Sequence, residues 1–104
     1  MSQSDSSQYI EADKLRDLIS TGAPITIIDV RSAAEYLASH VEGSVHIPAD
    51  ELAAAIHGLP KDRITVTVCN HGGSRSSGAA DLLRTIGFPD TVALKGGVHG
   101  WYEK

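Results

Sequence analysis

Apolar residues recur along this chain in two alternating rhythms. Leu15, Leu18 and Ile19 fall at helical spacing, which predicts a helix over residues 11–20 that Gly22 and Pro24 close. A β-branched run over residues 25–30 (ITIIDV) then predicts a short strand buried on both faces. Ser32 and Glu35 have capping-box spacing, so a short helix is expected to start at Ser32. Residues 41–48 (VEGSVHIP) predict a turn and a short strand, and residues 50–57 a second short helix. After a Pro-containing loop over 59–63, ITVTV (64–68) is the clearest strand. It runs into Cys69 and a Gly/Ser-rich turn over 70–74. From Arg75 the rhythm is helical again, with Ala79, Leu82, Leu83 and Ile86 as one stripe and Gly87 at the stop. TVAL (91–94) predicts another strand, Gly96 and Gly97 a turn, and Trp101 a place on a closing helical turn. Residues 1–8 are polar and read as a disordered tail. Strands alternating with helices place residues 9–104 in the α/β class as one domain with a small, mainly parallel sheet flanked by helices on both faces.

Composition narrows the function classes. The chain has 104 residues, 41% hydrophobic and 21% charged, as an ordinary soluble domain does. A net charge of −4 argues against nucleic acid or an anionic membrane as partner, since both require a positive face. The early residues hold no apolar segment of the signal-peptide kind, and no apolar run is long enough to span a bilayer, so the expected location is cytoplasmic. A lone cysteine excludes an intramolecular disulfide and a multi-cysteine zinc site, and no metal site is expected.

That cysteine carries the chemistry. Cys69 stands at the carboxyl end of a central strand, where open α/β sheets bind ligands. The turn after it allows successive backbone N–H groups to point inward as an anion-binding nest, and the next helix adds its unpaired N–H groups. Gly72 and Gly73 permit the tight curl. These features favour the thiolate, which is the nucleophilic form, and would stabilise a persulfide anion or a sulfur oxyanion. Arg75 offers a guanidinium fork for an oxyanion, and His71 and Ser74 offer further donors. The competing readings are plainer: a buried small hydrophobe for Cys69, a solvated charge for Arg75, an ordinary loop residue for His71.

With these residues in hand, the chain resembles the rhodanese-like (sulfurtransferase) family over about residues 9–104. IDVRSAAEY (28–36) is similar to the family's Asp-x-Arg followed by Glu and an aromatic, and HVEGSVHIP (40–48) to its His-Ile-x-Gly-Ala-x-Asn-Ile-Pro stretch. Cys69 with its loop and RSSGAADLLRTIGF is similar to the active-site loop and following helix, and LKGGVHGW (94–101) to the C-terminal Gly-Gly-x-x-x-Trp signature. The resemblance implies a rhodanese-like fold and a sulfurtransferase cycle without cofactor. A small anionic donor such as thiosulfate gives its outer sulfur to Cys69, and the persulfide passes it to cyanide, a thiol or a sulfur-relay protein. The implied substrate-binding set is Asn70, His71, Gly72, Gly73, Ser74, Arg75 and Arg31. For Arg31 an ion pair to Glu35 that pins the strand-to-helix turn is the stronger expectation, because partly buried charges need partners. Trp101 and His46 are expected to pack or hydrogen-bond rather than react.

Two departures keep alternatives open. Five residues separate Cys69 from Arg75, one more than in most sulfurtransferases, which resembles the longer loop of rhodanese-fold phosphatases and arsenate reductases. Against that, Val68 stands where those relatives have His, and Ser76-Ser77 follows the arginine. A non-catalytic interaction module is the third reading, for which replacement of the cysteine would be the mark. With no second thiol in the sequence, an adduct on Cys69 must be cleared by an external thiol.

Overall fold

The computed structural model describes residues 8–102. Five parallel strands, β1 (Tyr9–Ile10), β2 (Ile25–Asp29), β3 (Val45–His46), β4 (Ile64–Val68) and β5 (Thr91–Leu94), form one sheet in the order β1-β5-β4-β2-β3. The helices are α1 (Ala12–Ser20), α2 (Ala33–Ala38), α3 (Leu52–Ala55), α4 (Ser74–Thr85) and α5 (Gly97–Tyr102), with a 3-10 turn at Ala49–Glu51 ahead of α3. The middle strand β4 is fully flanked: Ile25 to Asp29 of β2 pair with Ile64 to Val68, and Thr91 to Ala93 of β5 with Thr65 to Thr67.

Strand alternation divides the core into two layers. Ile27, Val66 and Val68 face Leu15 of α1 and Val98 and Trp101 of α5. Ile28 faces the other way, onto Leu52, Ile56, Ala79, Leu83 and Phe88, so α3 and α4 cover the second face. The expected α/β arrangement with helices on both sides is therefore present. The apolar threonines fit the same logic: Thr67 is fully buried, and its hydroxyl donates to the Ser76 carbonyl at 2.7 Å, fastening α4 to β4.

Several boundaries differ from expectation. The strand β1 was not anticipated, because two residues carry no periodicity; it is held by register with β5, Tyr9 opposite Ala93. The expected disordered tail falls outside the described residues at 1–7, while the Gln8 carbonyl accepts from Ala93 N–H at 3.0 Å. The helix expected over 50–57 is a 3-10 turn followed by a single α-turn. The last helix before β5 starts at Ser74 rather than Arg75, and its packed stripe is Ser76, Ala79, Ala80 and Leu83. Leu82 and Ile86, expected in that stripe, are 36% and 37% exposed. The helix lies close to the sheet over small residues, and positions i, i+3, i+4 and i+7 from Ser76 make that face. The capping box of α2 is present: Ser32 Oγ accepts from Glu35 N–H at 3.3 Å, and Glu35 Oε1 accepts from Ser32 N–H at 2.9 Å.

Candidate active site

Cys69 follows β4 directly, and its loop is locked from behind by the backbone of α5. The Cys69 carbonyl accepts from Val98 N–H at 2.8 Å and the Asn70 carbonyl from His99 N–H at 2.9 Å. Two glycines make this contact possible. Gly97 has φ +59, and a Cβ there would stand 2.3 Å from the Cys69 carbonyl oxygen. Gly72 has φ +74, and its Cβ would stand 2.7 Å from Gly96 N. Both positions combine a left-handed backbone with no room for a side chain, so only glycine fits.

The turn curls inward around the sulfur. Ser76 Oγ lies 3.2 Å from Cys69 Sγ, and the backbone N–H groups of Ser76, Gly73 and His71 favour its ionised form. Burial pushes the thiol pKa up, but the Ser76 hydroxyl and these amides outweigh it and hold it below the ordinary thiol value. Ser76 is fully buried and its hydroxyl is 3.3 Å from the Gly73 carbonyl. In the neutral form the thiol donates to Ser76 Oγ, which donates to Gly73. On ionisation the hydroxyl proton turns to the sulfur. Cys69 is itself only 3% exposed and packs on Ile28, Val30 and Leu83, so it sits at the floor of the cradle.

The charged side chains around the cradle are bound to one another. Arg31, 3% exposed, donates to Asp29 from Nε at 3.0 Å and Nη2 at 2.7 Å, to the Ser39 carbonyl at 2.6 Å and to Asn70 Oδ1 at 3.0 Å. The hydrogen bond to Asp29 holds its pKa above the ordinary arginine value. The expected Arg31–Glu35 pair is thus corrected to Arg31–Asp29. Residues two apart at a strand end share a face, whereas Glu35 is already drawn to its helix cap. Asn70 also donates from Nδ2 to Glu35 Oε2 at 2.6 Å, and Arg75 donates to Glu35 Oε1 at 3.3 Å. The Ser32 backbone N–H, then Arg75 and Asn70, hold the Glu35 carboxyl down to about 2.

Of the residues singled out from sequence, Asn70, His71, Gly72, Gly73 and Ser74 form the loop. His71, Gly73, Ser74 and Arg75 are exposed at its lip. The His71 ring stacks on His99, centroids 4.2 Å apart. Trp101 packs under the Arg16 guanidinium, 4.1 Å from its ring centroid, and His46 Nε2 lies 2.7 Å from the Arg31 carbonyl. Both serve as packing and hydrogen-bonding residues, as expected. Sequence reasoning missed Ser76 and the bridging role of Glu35; a polar residue in phase with a buried helical stripe was the available signal for Ser76. A hollow of about 370 Å³ opens beside the loop, lined by Arg31, Ser39, Asn70, Val98, His99 and Tyr102. A larger one of about 580 Å³ lies at the other end of the sheet, beside Ile64 and Thr91, and contains none of these groups. No helix among the described residues is long and apolar enough to cross a membrane.

A parallel α/β sheet with a cysteine in a tight loop between the end of its middle strand and the next helix is the architecture of a class of α/β domains. Within that class the chain belongs to the rhodanese-like domain family, whose profile it matches over residues 11–104. It is 43% identical over 75 residues to the thiosulfate sulfurtransferase GlpE of Pseudomonas fluorescens, covering 72% of this chain and 68% of that one. To the same-named protein of Pseudomonas aeruginosa PAO1 it is 35% identical over 98 residues, 94% of this chain and 86% of that one. Among solved structures, the human single-domain sulfurtransferase TSTD1 superposes with a TM-score of 0.84 at 26% identity, covering 93% of this chain and 96% of that one.

Proposed function

We propose that this chain transfers sulfane sulfur as a persulfide on Cys69. Family and relatives make it a thiosulfate sulfurtransferase-like enzyme. The observation that supports the persulfide step is the Ser76 hydroxyl 3.2 Å from Cys69 Sγ at the end of the middle strand, with the loop's backbone N–H groups also favouring the thiolate. The Cys69 thiolate attacks the outer sulfur of thiosulfate, the S–S bond breaks, and sulfite leaves with the bonding pair. The product, Cys69–S–S⁻, carries its charge on the outer sulfur, one bond further up the loop, where the loop's N–H groups would stabilise it. His71 and Ser74, exposed at the lip, would donate to the oxygens of the departing sulfite. Cyanide or a thiolate then attacks the outer sulfur, leaving as thiocyanate or a new persulfide and returning the Cys69 thiolate. With one cysteine in the sequence, the acceptor comes from outside, either a small thiol or a sulfur-relay protein.

Phosphate or arsenate chemistry would need the Arg75 guanidinium over the cradle, and it lies instead on Glu35. A non-catalytic role would leave the ring of donors around the sulfur without purpose. Intact-mass measurement decides among these. Thiosulfate is expected to add one sulfur, cyanide to remove it, and Cys69→Ser to abolish the gain. An unchanged wild-type mass refutes persulfide transfer.

A further inference from the structure

Side chains that look from sequence like anion holders are consumed in a chain of contacts across the carboxyl ends of β2 and β4. Asn70 joins two ion pairs, Asp29–Arg31 and Glu35–Arg75, by accepting from one guanidinium and donating to one carboxylate. The outer pair stands at the entrance, with the Arg75 and Glu35 side chains 45% and 32% exposed and 3.3 Å apart. Within residues 69–75 Arg75 is the one lysine or arginine. Its charge reaches an incoming donor already countered. The carboxylate, in turn, is tied down by the α2 cap through Ser32, so it is fixed opposite Arg75 rather than free to swing into solvent.

Sulfur donors of the same reactivity class differ in charge: thiosulfate is a dianion, an organic thiosulfonate a monoanion. We propose that Glu35 is a specificity-determining residue that sets the donor charge this entrance selects, by pairing Arg75 and removing one positive charge from the approach to Cys69. This rests on the persulfide reading above. Coulomb energy scales with the product of charges, so a change of one unit at the entrance acts twice as strongly on a dianion as on a monoanion. A role that merely shapes the loop changes both donors alike.

The experiment is a charge ladder. Wild type and Glu35→Gln/Arg75→Gln carry no net charge at the pair, Glu35→Gln carries one positive and Arg75→Gln one negative. The glutamine at 35 retains oxygen and nitrogen for the Ser32 cap. Steady-state kcat/KM is measured with thiosulfate and with benzenethiosulfonate, cyanide as acceptor, at low and high salt. Glu35→Gln is expected to raise kcat/KM for thiosulfate on the order of tenfold at low salt, chiefly through KM, and for benzenethiosulfonate about threefold, the square root. Arg75→Gln is expected to lower kcat/KM for thiosulfate on the order of tenfold and for benzenethiosulfonate about threefold, the double variant returns the ratio of the two donors toward wild type, and salt compresses the ladder. A donor ratio that stays constant across the variants, or that ignores salt, overturns the proposal, and Arg75→Gln alone suffices if Glu35→Gln does not fold. Persulfide loading is read by intact mass in the same samples. Loading with a constant donor ratio refutes only the role of Glu35, whereas wild type that takes sulfur from neither donor refutes the persulfide reading and this one with it.

Discussion

Replacing Ser76 by alanine removes, among the described residues, the side-chain hydroxyl that hydrogen-bonds the Cys69 sulfur. The hydroxyl lies 3.2 Å from Cys69 Sγ inside a fully buried helix face, so little solvent competes for it. A hydrogen bond to a charged group in such a place contributes about 1.5–3 kcal/mol. Losing it from the ionised form should raise the midpoint of thiolate formation in Ser76→Ala and slow thiolate reactions near neutral pH by about tenfold or more. The amides of His71, Gly73 and Ser76 stay, and hence the variant should still load sulfur, only more slowly near neutral pH. The assay is the pH dependence of alkylation by iodoacetamide, followed by mass. The linkage has a definite sign. Because the folded thiol pKa lies below the unfolded one, ionisation of Cys69 stabilises the fold. That gain is complete above the unfolded thiol pKa and is lost as pH falls through the folded value. Denaturation of wild type against Ser76→Ala should therefore diverge with rising pH across this window. An alkylation midpoint that does not move in Ser76→Ala refutes the assignment of the hydroxyl as thiolate donor.

Three further outcomes follow from the geometry. Gly97→Ala puts a methyl 2.3 Å from the Cys69 carbonyl oxygen at a positive φ, and should cost about 3 kcal/mol or more in urea denaturation while abolishing sulfur loading; a normal midpoint with normal loading contradicts the interlock. Asp29→Asn leaves the Arg31 guanidinium buried without its carboxylate and should destabilise by about 3–5 kcal/mol, with Asp29→Asn/Arg31→Met recovering much of the loss; equal stability of single and double variants contradicts it. The Glu35 carboxyl, held at about 2, contributes stability that is fully present above the ordinary carboxylate range and lost as pH falls through 2. Acid titration of Glu35→Gln should accordingly show a shallower loss than wild type between those limits, and parallel curves would contradict the pairing.

The strands were legible because their signal is local. ITVTV and ITIID are β-branched runs with no competing helical phase, and each became a strand. The cradle was legible for a related reason: a cysteine after a strand followed by paired glycines constrains the backbone whatever the side chains do. What the sequence hid was partnership. The chain places Asp29, Arg31 and Glu35 within one short segment, and charge alone pairs Arg31 with either carboxylate. Only the strand end, which turns Asp29 and Arg31 to the same side, and the cap, which spends Glu35 on Ser32, decide between them. Ser76 was hidden for a similar reason. In a hydrophobic count it dilutes the stripe of α4 and shifted its reading toward Leu82 and Ile86, although its burial is what brings the hydroxyl to the sulfur.

This division between backbone and side chains bears on how the site tolerates its small size. A rhodanese-like domain of the size matched here, residues 11–104, has little stability to set against exposed, unpaired charges near a nucleophile. The amides that hold the sulfur are fixed by the turn itself and by the Val98 and His99 hydrogen bonds, at no cost in side-chain entropy. The guanidiniums are neutralised within the Asp29–Arg31–Asn70–Glu35–Arg75 chain, which braces β2, α2 and the loop against one another. On the persulfide reading, an anionic sulfur would be held by the Ser76 hydroxyl and oriented backbone dipoles, with the nearby Arg31 guanidinium adding a favourable charge. The net charge of −4 is consistent with this arrangement, because selection of the anion is left to the few donors at the cradle and to the charge balance of Glu35 and Arg75 at its entrance.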